Sequence, residues 1–101
     1  MDKRYNAITM QEQLRLRQHA VDEVLANPQW TLAQAFAHLK RAMRLTTAEY
    51  AKLSGVSLRT LQDIEGGRSE GTVVTMNKIF GVLGLKLGVV QVGADVGARQ
   101  D

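Results

Sequence analysis

The side chains best suited to chemistry are concentrated between positions 40 and 68 of the 101-residue chain. The formal charge of the chain is +3, which permits a polyanionic partner without requiring one. Ion pairing and hydrogen bonding with an anion are therefore the chemistry that this segment suggests. Its charged residues are mostly basic: Lys40, Arg41, Arg44, Lys52, Arg59 and Arg68 against Glu49, Asp63 and Glu65.

Other kinds of site have little support in the sequence. The chain has no cysteine, which excludes disulfides and thiolate metal sites. His19 and His38 are far apart and have no acidic or cysteine companion at metal-ligand spacing. Ser57 suits a helix cap better than a nucleophile, and the glycine-rich stretch 66–71 lacks the ending of a phosphate-binding loop. We therefore predict no enzyme activity, no metal and no cofactor.

Helical signals run through most of the chain and predict an all-α protein. They predict helices at 9–26, 31–43, 46–53, 57–65 and 72–83. Their apolar faces share a three- and four-residue spacing, which for the first helix selects Met10, Leu14, Val21, Val24 and Leu25. Three of the starts are capping boxes, in which a threonine precedes Glu or Gln by three positions: Thr9 with Glu12, Thr31 with Gln34, and Thr46 with Glu49.

The third and fourth predicted helices are short and flank a tight turn, the shape of a DNA-reading helix-turn-helix. Ala51 is small enough for the two helices to approach closely, and Gly55 permits a positive φ in the turn. We expect the second helix to be anchored to the core by Val56, Leu61 and Ile64. The outer side near its N-terminus, the end that enters the major groove, then carries Leu58, Arg59, Gln62 and Asp63.

The same stretch, Leu45 to Arg68, resembles the Cro/C1-type, or XRE, family of repressors. The shared pattern is Ala-x-x-x-Gly-Val-Ser-x-x-Thr-Leu-x-x-Ile-Glu-x-Gly, and the resemblance extends from about Leu32 to Leu85. It implies a lambda-repressor-like domain of five helices, to which the helix before Pro28 is an addition. One departure is Thr47, because the family has Gln at this position, where it contacts a DNA phosphate.

The resemblance also implies roles for individual side chains. Family positions that match Leu58, Arg59 and Asp63 face base edges. Arg59 suits a bidentate contact with guanine, and Leu58 suits a thymine methyl group. Asp63 either accepts a hydrogen bond from cytosine or holds Arg59 in place. Lys40 stands at a family position whose basic side chain pairs with the residue at the position of Glu65. We therefore favour a structural role for Lys40 and Glu65. The candidate phosphate contacts are Thr47, Ser57, Thr60, Arg68 and Arg44.

After Gly84 the pattern changes to β-branched residues that alternate at first, which predicts one strand over 85–92. Because a lone strand leaves its backbone groups unpaired, we expect it to pair with a second copy of the chain. The order of elements from Thr72 to Val90 resembles the HipB-type antitoxins, which repress their own operon and hold a toxin kinase. The predicted dimerisation residues are Leu85, Leu87, Val89, Val90 and Val92.

Together these features predict four segments: an N-terminal extension helix (1–28), a helix-turn-helix domain (29–84), a dimerisation strand (85–92) and a flexible tail (93–101). The expected function is a repressor that binds double-stranded DNA as a homodimer on a palindromic operator. The alternative is an antitoxin that binds a cognate toxin protein and autoregulates its operon. Neither a signal peptide nor a bilayer-spanning run is visible, so we expect a cytoplasmic, nucleoid-associated protein without a membrane partner.

Overall fold

The structure is a computed structural model that describes residues 9–92. These residues form α1 (Met10–Ala26), α2 (Leu32–Ala42), α3 (Thr47–Ser54), α4 (Leu58–Glu65) and α5 (Val73–Gly81). The predicted all-α class is confirmed. The sequence predicted a five-helix domain preceded by an additional N-terminal helix. Residues 9–92 contain five helices with α1 included, so this finer prediction is not supported. None of these helices is both long enough and apolar enough to cross a bilayer.

Every helix begins immediately after the residue that the sequence predicted as its cap. The three predicted capping boxes are formed in full, each with a threonine side chain bound to a backbone N–H and a Glu or Gln returning the bond. Ser57 and Thr72 cap α4 and α5 by accepting from the backbone N–H groups of Thr60 and Thr75. Each cap satisfies donors that the first helical turn cannot pair internally.

The turns after α2, α4 and α5 share one hydrogen-bond geometry. In each, an N–H just beyond the helix bonds to a carbonyl five residues earlier, as from Leu45 to Lys40 at 3.0 Å. Each turn needs one residue with positive φ. Glycine supplies it in two cases, Gly67 and Gly84, whereas Arg44 supplies it after α2.

One apolar core joins all five helices. Tyr50 on α3 is fully buried, packs edge-on against Phe36 of α2 with ring centroids 5.0 Å apart, and donates its hydroxyl to the Ile79 carbonyl of α5 at 2.7 Å. Burial raises the pKa of the Tyr50 phenol. The buried core consists of Ala20, Ala35, Phe36, Leu39, Tyr50, Val56, Leu61, Ile64, Met76, Ile79, Phe80 and Leu83.

Helix α1 contacts this core less closely than its sequence predicts. Within residues 9–92, Ala20 is the one residue of α1 that is buried. The helix packs mainly against α2. Three predicted inward residues, Met10, Leu14 and Leu25, are instead exposed by 58% or more. The prediction was wrong for these three, because the part of α1 that meets the core is centred on Ala20, a small residue outside the predicted face, together with the partly buried Val21 and Val24.

The segment after Gly84 is not a strand in the described structure, so the predicted strand over 85–92 is wrong for the single chain. Leu85 and Leu87 are half-buried against the core. Their backbone N–H groups bond to the Phe80 carbonyl at 3.0 Å and to Asn77 Oδ1 at 2.7 Å. The remaining predicted dimerisation residues, Val89, Val90 and Val92, are exposed. The predicted flexible tail, 93–101, lies outside the described residues.

Candidate nucleic-acid interface

Helices α3 and α4 are joined by Gly55, Val56 and Ser57. Gly55 adopts φ 77°, as expected, and its N–H bonds to the Ala51 carbonyl at 2.9 Å. Val56 is buried, and its N–H donates to Ser54 Oγ at 3.2 Å. The left-handed glycine reverses the chain while the buried valine fixes α4 against the core. Ala51 is half-buried and takes part in the same packing.

The two faces of α4 differ sharply in burial. Leu61 and Ile64 are completely buried, which fixes the rotation of the helix about its axis. The opposite face therefore points to solvent. Leu58 is 40% exposed, Gln62 is exposed, and the Arg59 side chain is 83% exposed. The structure thus brings together the side chains that the sequence assigned to base contacts.

Asp63 lies on this face and is shared by two arginines. Its Oδ1 atom lies 3.0 Å from Arg68 Nε and 3.5 Å from Arg59 Nε. Arg68 also donates through Nη2 to the Gln62 carbonyl at 3.2 Å. Arg68, expected to contact a phosphate, therefore folds back onto the end of α4 in the unbound protein.

The N-terminus of α4 carries a pair of hydroxyl groups. Ser57 Oγ accepts from the Thr60 backbone N–H at 3.1 Å and donates to Thr60 Oγ1 at 2.8 Å. In this pair the Thr60 hydroxyl is the acceptor, so its own hydrogen is available to an external acceptor. The positive end of the helix dipole lies at the same point, which favours an anion there.

Thr47 occupies a different environment from the phosphate contact that the sequence predicts. Its hydroxyl accepts from Lys40 Nζ at 2.9 Å and donates to Glu65 Oε1 at 2.9 Å. Lys40 and Glu65 form the expected ion pair, with Nζ 2.6 Å from Oε2. All three residues are half-buried. Because its hydrogen is committed to Glu65, Thr47 in this network ties α2, α3 and α4 together.

Arg44 lies in the turn between α2 and α3 with φ 60°. Among residues 9–92 it is the one non-glycine residue with positive φ. This conformation costs a residue with a Cβ about 1–2 kcal/mol. The Arg44 side chain is exposed, so core packing does not explain the choice of residue.

A second cluster, which sequence reasoning missed, connects α1 with α2. Glu23 Oε1 lies 2.6 Å from His38 Nε2, and Glu23 Oε2 lies 3.3 Å from His19 Nε2. The Trp30 ring packs against His38 with centroids 4.9 Å apart. The histidines were considered only as metal ligands, and the contact of Glu23 with both of them was not predicted from the sequence. The four-residue spacing of His19 and Glu23 was the available signal. No group of acidic and histidine side chains within 9–92 is arranged to hold a metal ion.

Comparison of the chain with protein-family models, with curated proteins and with solved structures yields no match in any of the three.

Proposed function

We propose that this protein is a sequence-specific DNA-binding transcriptional repressor that acts as a homodimer on a palindromic operator. The observation that carries the proposal is the exposed face of α4, where Leu58, Arg59, Gln62 and Asp63 lie opposite two fully buried anchors. A helix of this kind fits the major groove, where each base pair presents a distinct pattern of donors and acceptors. Its rigid attachment to the core favours direct reading of that pattern.

Arg59 is the principal reading residue in this proposal. Its guanidinium is the most exposed of the charged groups on the outer face of α4 and can form a bidentate contact with guanine O6 and N7. Leu58, one position earlier and partly exposed, suits contact with a thymine methyl group. Gln62, one turn later, supplies both a donor and an acceptor.

Phosphate contacts position the reading helix without carrying sequence information. Ser57 and Thr60 present hydroxyls at the N-terminus of α4, and Arg68 presents a guanidinium at its other end. Arg44 belongs to the same set. A strained backbone at an exposed arginine is explained by a functional side chain at that position. Thr47 contributes indirectly, by fixing α3 against α4.

The domain that we infer is lambda-repressor-like and of the XRE type, on the residues from Leu32 to Leu85 that resemble that family. Dimerisation is assigned to the C-terminal segment, where Leu85 and Leu87 anchor the chain to the core and Val89, Val90 and Val92 extend outward. Pairing of this segment with its copy would complete a two-stranded ribbon and set the two α4 helices about 34 Å apart. A cytoplasmic, nucleoid-associated location follows from the proposal.

The test is a binding titration with a duplex that the wild-type protein selects from a random pool. Arg59→Ala is expected to lose about 5- to 150-fold in discrimination between that duplex and unrelated DNA. Arg15→Ala, an exposed arginine on α1, is the control and keeps full discrimination. If Arg59→Ala keeps it as well, the assignment of the reading residue is wrong.

An antitoxin function is the second candidate, and an exposed apolar surface favours it. Met10 and Leu14 of α1 and Leu53 of α3 are exposed and line one shallow cavity with Met43 and Leu45. Such a surface suits a protein partner. Co-expression with the product of an adjacent reading frame tests the idea. Stable co-purification that Leu14→Asp abolishes supports it, and separate elution of the two proteins contradicts it.

A further inference from the structure

The Arg68 side chain occupies the space next to Gly66, at the C-terminal end of α4. A Cβ atom at position 66 would lie 2.6 Å from Arg68 Nη1 and 3.0 Å from Arg68 Cζ. The first of these distances is shorter than Cβ contacts in proteins. A side chain at position 66 would therefore require the guanidinium, the flexible end of Arg68, to shift from this place.

Once there, Arg68 is held by three hydrogen bonds to two neighbouring residues. Its Nε donates to Asp63 Oδ1 at 3.0 Å and its Nη2 to the Gln62 carbonyl at 3.2 Å. Its backbone N–H donates to the Asp63 carbonyl at 2.8 Å. Main chain and side chain are fixed together, which orients the guanidinium before any ligand binds.

Arg59 lies near the same carboxylate oxygen, Asp63 Oδ1, but at a longer distance than Arg68. Arg59 Nε lies 3.5 Å from Asp63 Oδ1, beyond a good hydrogen bond, whereas the Arg68 contact is 3.0 Å. Arg59 and Asp63 lie four positions apart on α4, the spacing at which ion pairs form along a helix. Without Arg68, Asp63 would retain Arg59 as its main partner.

Resting on the DNA-binding function proposed above, we propose that Arg68 is a positioning residue for base reading. By engaging Asp63, it leaves the Arg59 guanidinium to a guanine edge and offsets a negative charge beside the DNA. In this proposal Asp63 takes neither of the two roles that the sequence left open for it. It holds Arg68 rather than Arg59, and it does not read cytosine.

The test measures binding to two duplexes. One is the duplex that the wild-type protein selects, and the other is the same duplex with the guanines of each half-site replaced. Arg68→Ala is expected to lower the discrimination between the two about 5-fold or more, because Arg59 is then held by Asp63. Adding Asp63→Asn to Arg68→Ala restores discrimination, because the carboxylate that holds Arg59 is then removed. If Arg68→Ala instead weakens both duplexes equally and reduces the salt slope by about one, Arg68 is a phosphate contact only.

A glycine pair tests the geometry without removing any charge. Gly66 has φ −84° and ψ 0°, which alanine adopts, so Gly66→Ala should fold while displacing the Arg68 guanidinium. It is expected to reproduce the loss of discrimination in Arg68→Ala. Gly81→Ala is the matched control, because a Cβ there meets open space.

A readout on the unbound protein separates the two proposals. The Arg68 Nε–H should give a slowly exchanging NMR signal in the wild type and in Gly81→Ala, and lose it in Gly66→Ala. Rapid exchange in the wild type overturns the Arg68 arrangement and leaves the DNA-binding proposal intact. A wild-type protein that shows the signal but selects no DNA sequence overturns the proposed function, and the role of Arg68 with it.

Discussion

Among single residues, Arg44 departs most clearly from its local conformational preference. Two equivalent turns use Gly67 and Gly84 where this one uses arginine. Glycine reaches positive φ without steric cost, so the exposed arginine at this position runs against the local preference. Under the proposed function, a contact between Arg44 and the DNA backbone next to the α3–α4 unit would account for it.

Arg44→Gly is therefore expected to raise the free energy of unfolding by about 0.5–1 kcal/mol and to weaken DNA binding. Urea denaturation and a binding titration measure the two effects. Gly84→Ala, where a Cβ meets open space, isolates the conformational cost and is expected to destabilise by about 1 kcal/mol. If Arg44→Gly leaves the affinity for DNA unchanged, the strained arginine has no role in binding.

Ionisation of the Tyr50 phenol makes the free energy of unfolding depend on pH. Burial raises its pKa in the folded protein, while in the unfolded chain the phenol ionises near about 10. The unfolded state therefore loses this proton first, so the stability contributed by protonated Tyr50 is fully present below pH of about 10 and falls as the pH rises above it.

Tyr50→Phe is expected to remove this contribution to the alkaline decline. It also costs about 1 kcal/mol at neutral pH, because the Ile79 carbonyl loses its hydroxyl donor. Unfolding measured between pH 7 and 11 checks both effects. If the free energy of unfolding falls equally steeply with rising pH in the variant and the wild type, Tyr50 does not cause the alkaline decline.

At the scale of elements, the sequence predicts helix starts best, because the signals are local. Thr9, Thr31 and Thr46 each lie three residues before the side chain that completes the capping box, and no distant contact is needed. The outward face of α4 was predictable for a similar reason, since the apolar spacing of Leu61 and Ile64 fixes which side is buried.

What the sequence does not predict depends on packing between distant segments. On α1, Ala20 is buried while Met10 and Leu14 are exposed, against the helical pattern. The alternating residues after Gly84 read as a strand, yet Asn77, ten positions earlier, binds the Leu87 N–H and anchors the segment. Thr47 likewise gained its partners from α2 and α4, which the family resemblance alone does not indicate.

For the whole molecule, the proposed function assigns one reading helix, α4, to each chain, so that one chain would recognise one half-site. A palindromic operator needs two helices at a fixed separation. The exposed valines Val89, Val90 and Val92 give the C-terminal segment an apolar edge beyond its anchored part. We propose that pairing of this segment with its copy in a second chain supplies the two-fold arrangement.

Truncation after Leu87 is expected to give a folded monomer that binds the operator weakly, because the anchoring leucines and the core remain. Analytical ultracentrifugation gives the mass, and circular dichroism confirms the helix content. Val90→Lys, which adds a charge at the same edge, should weaken the dimer without shortening the chain. A truncated protein that stays dimeric would move the interface to the helices, with α1 the next candidate.

Whether α4 reads DNA is tested most directly by selecting duplexes from a random DNA pool with the 101-residue chain at about 0.1 M salt. We expect enrichment of a palindrome with a guanine in each half-site, the half-site centres lying one helical turn, about 10 base pairs, apart. Binding to the enriched duplex should weaken steeply with added salt. A pool that shows no enrichment after repeated rounds, although the protein is folded, would contradict the claim that α4 reads DNA.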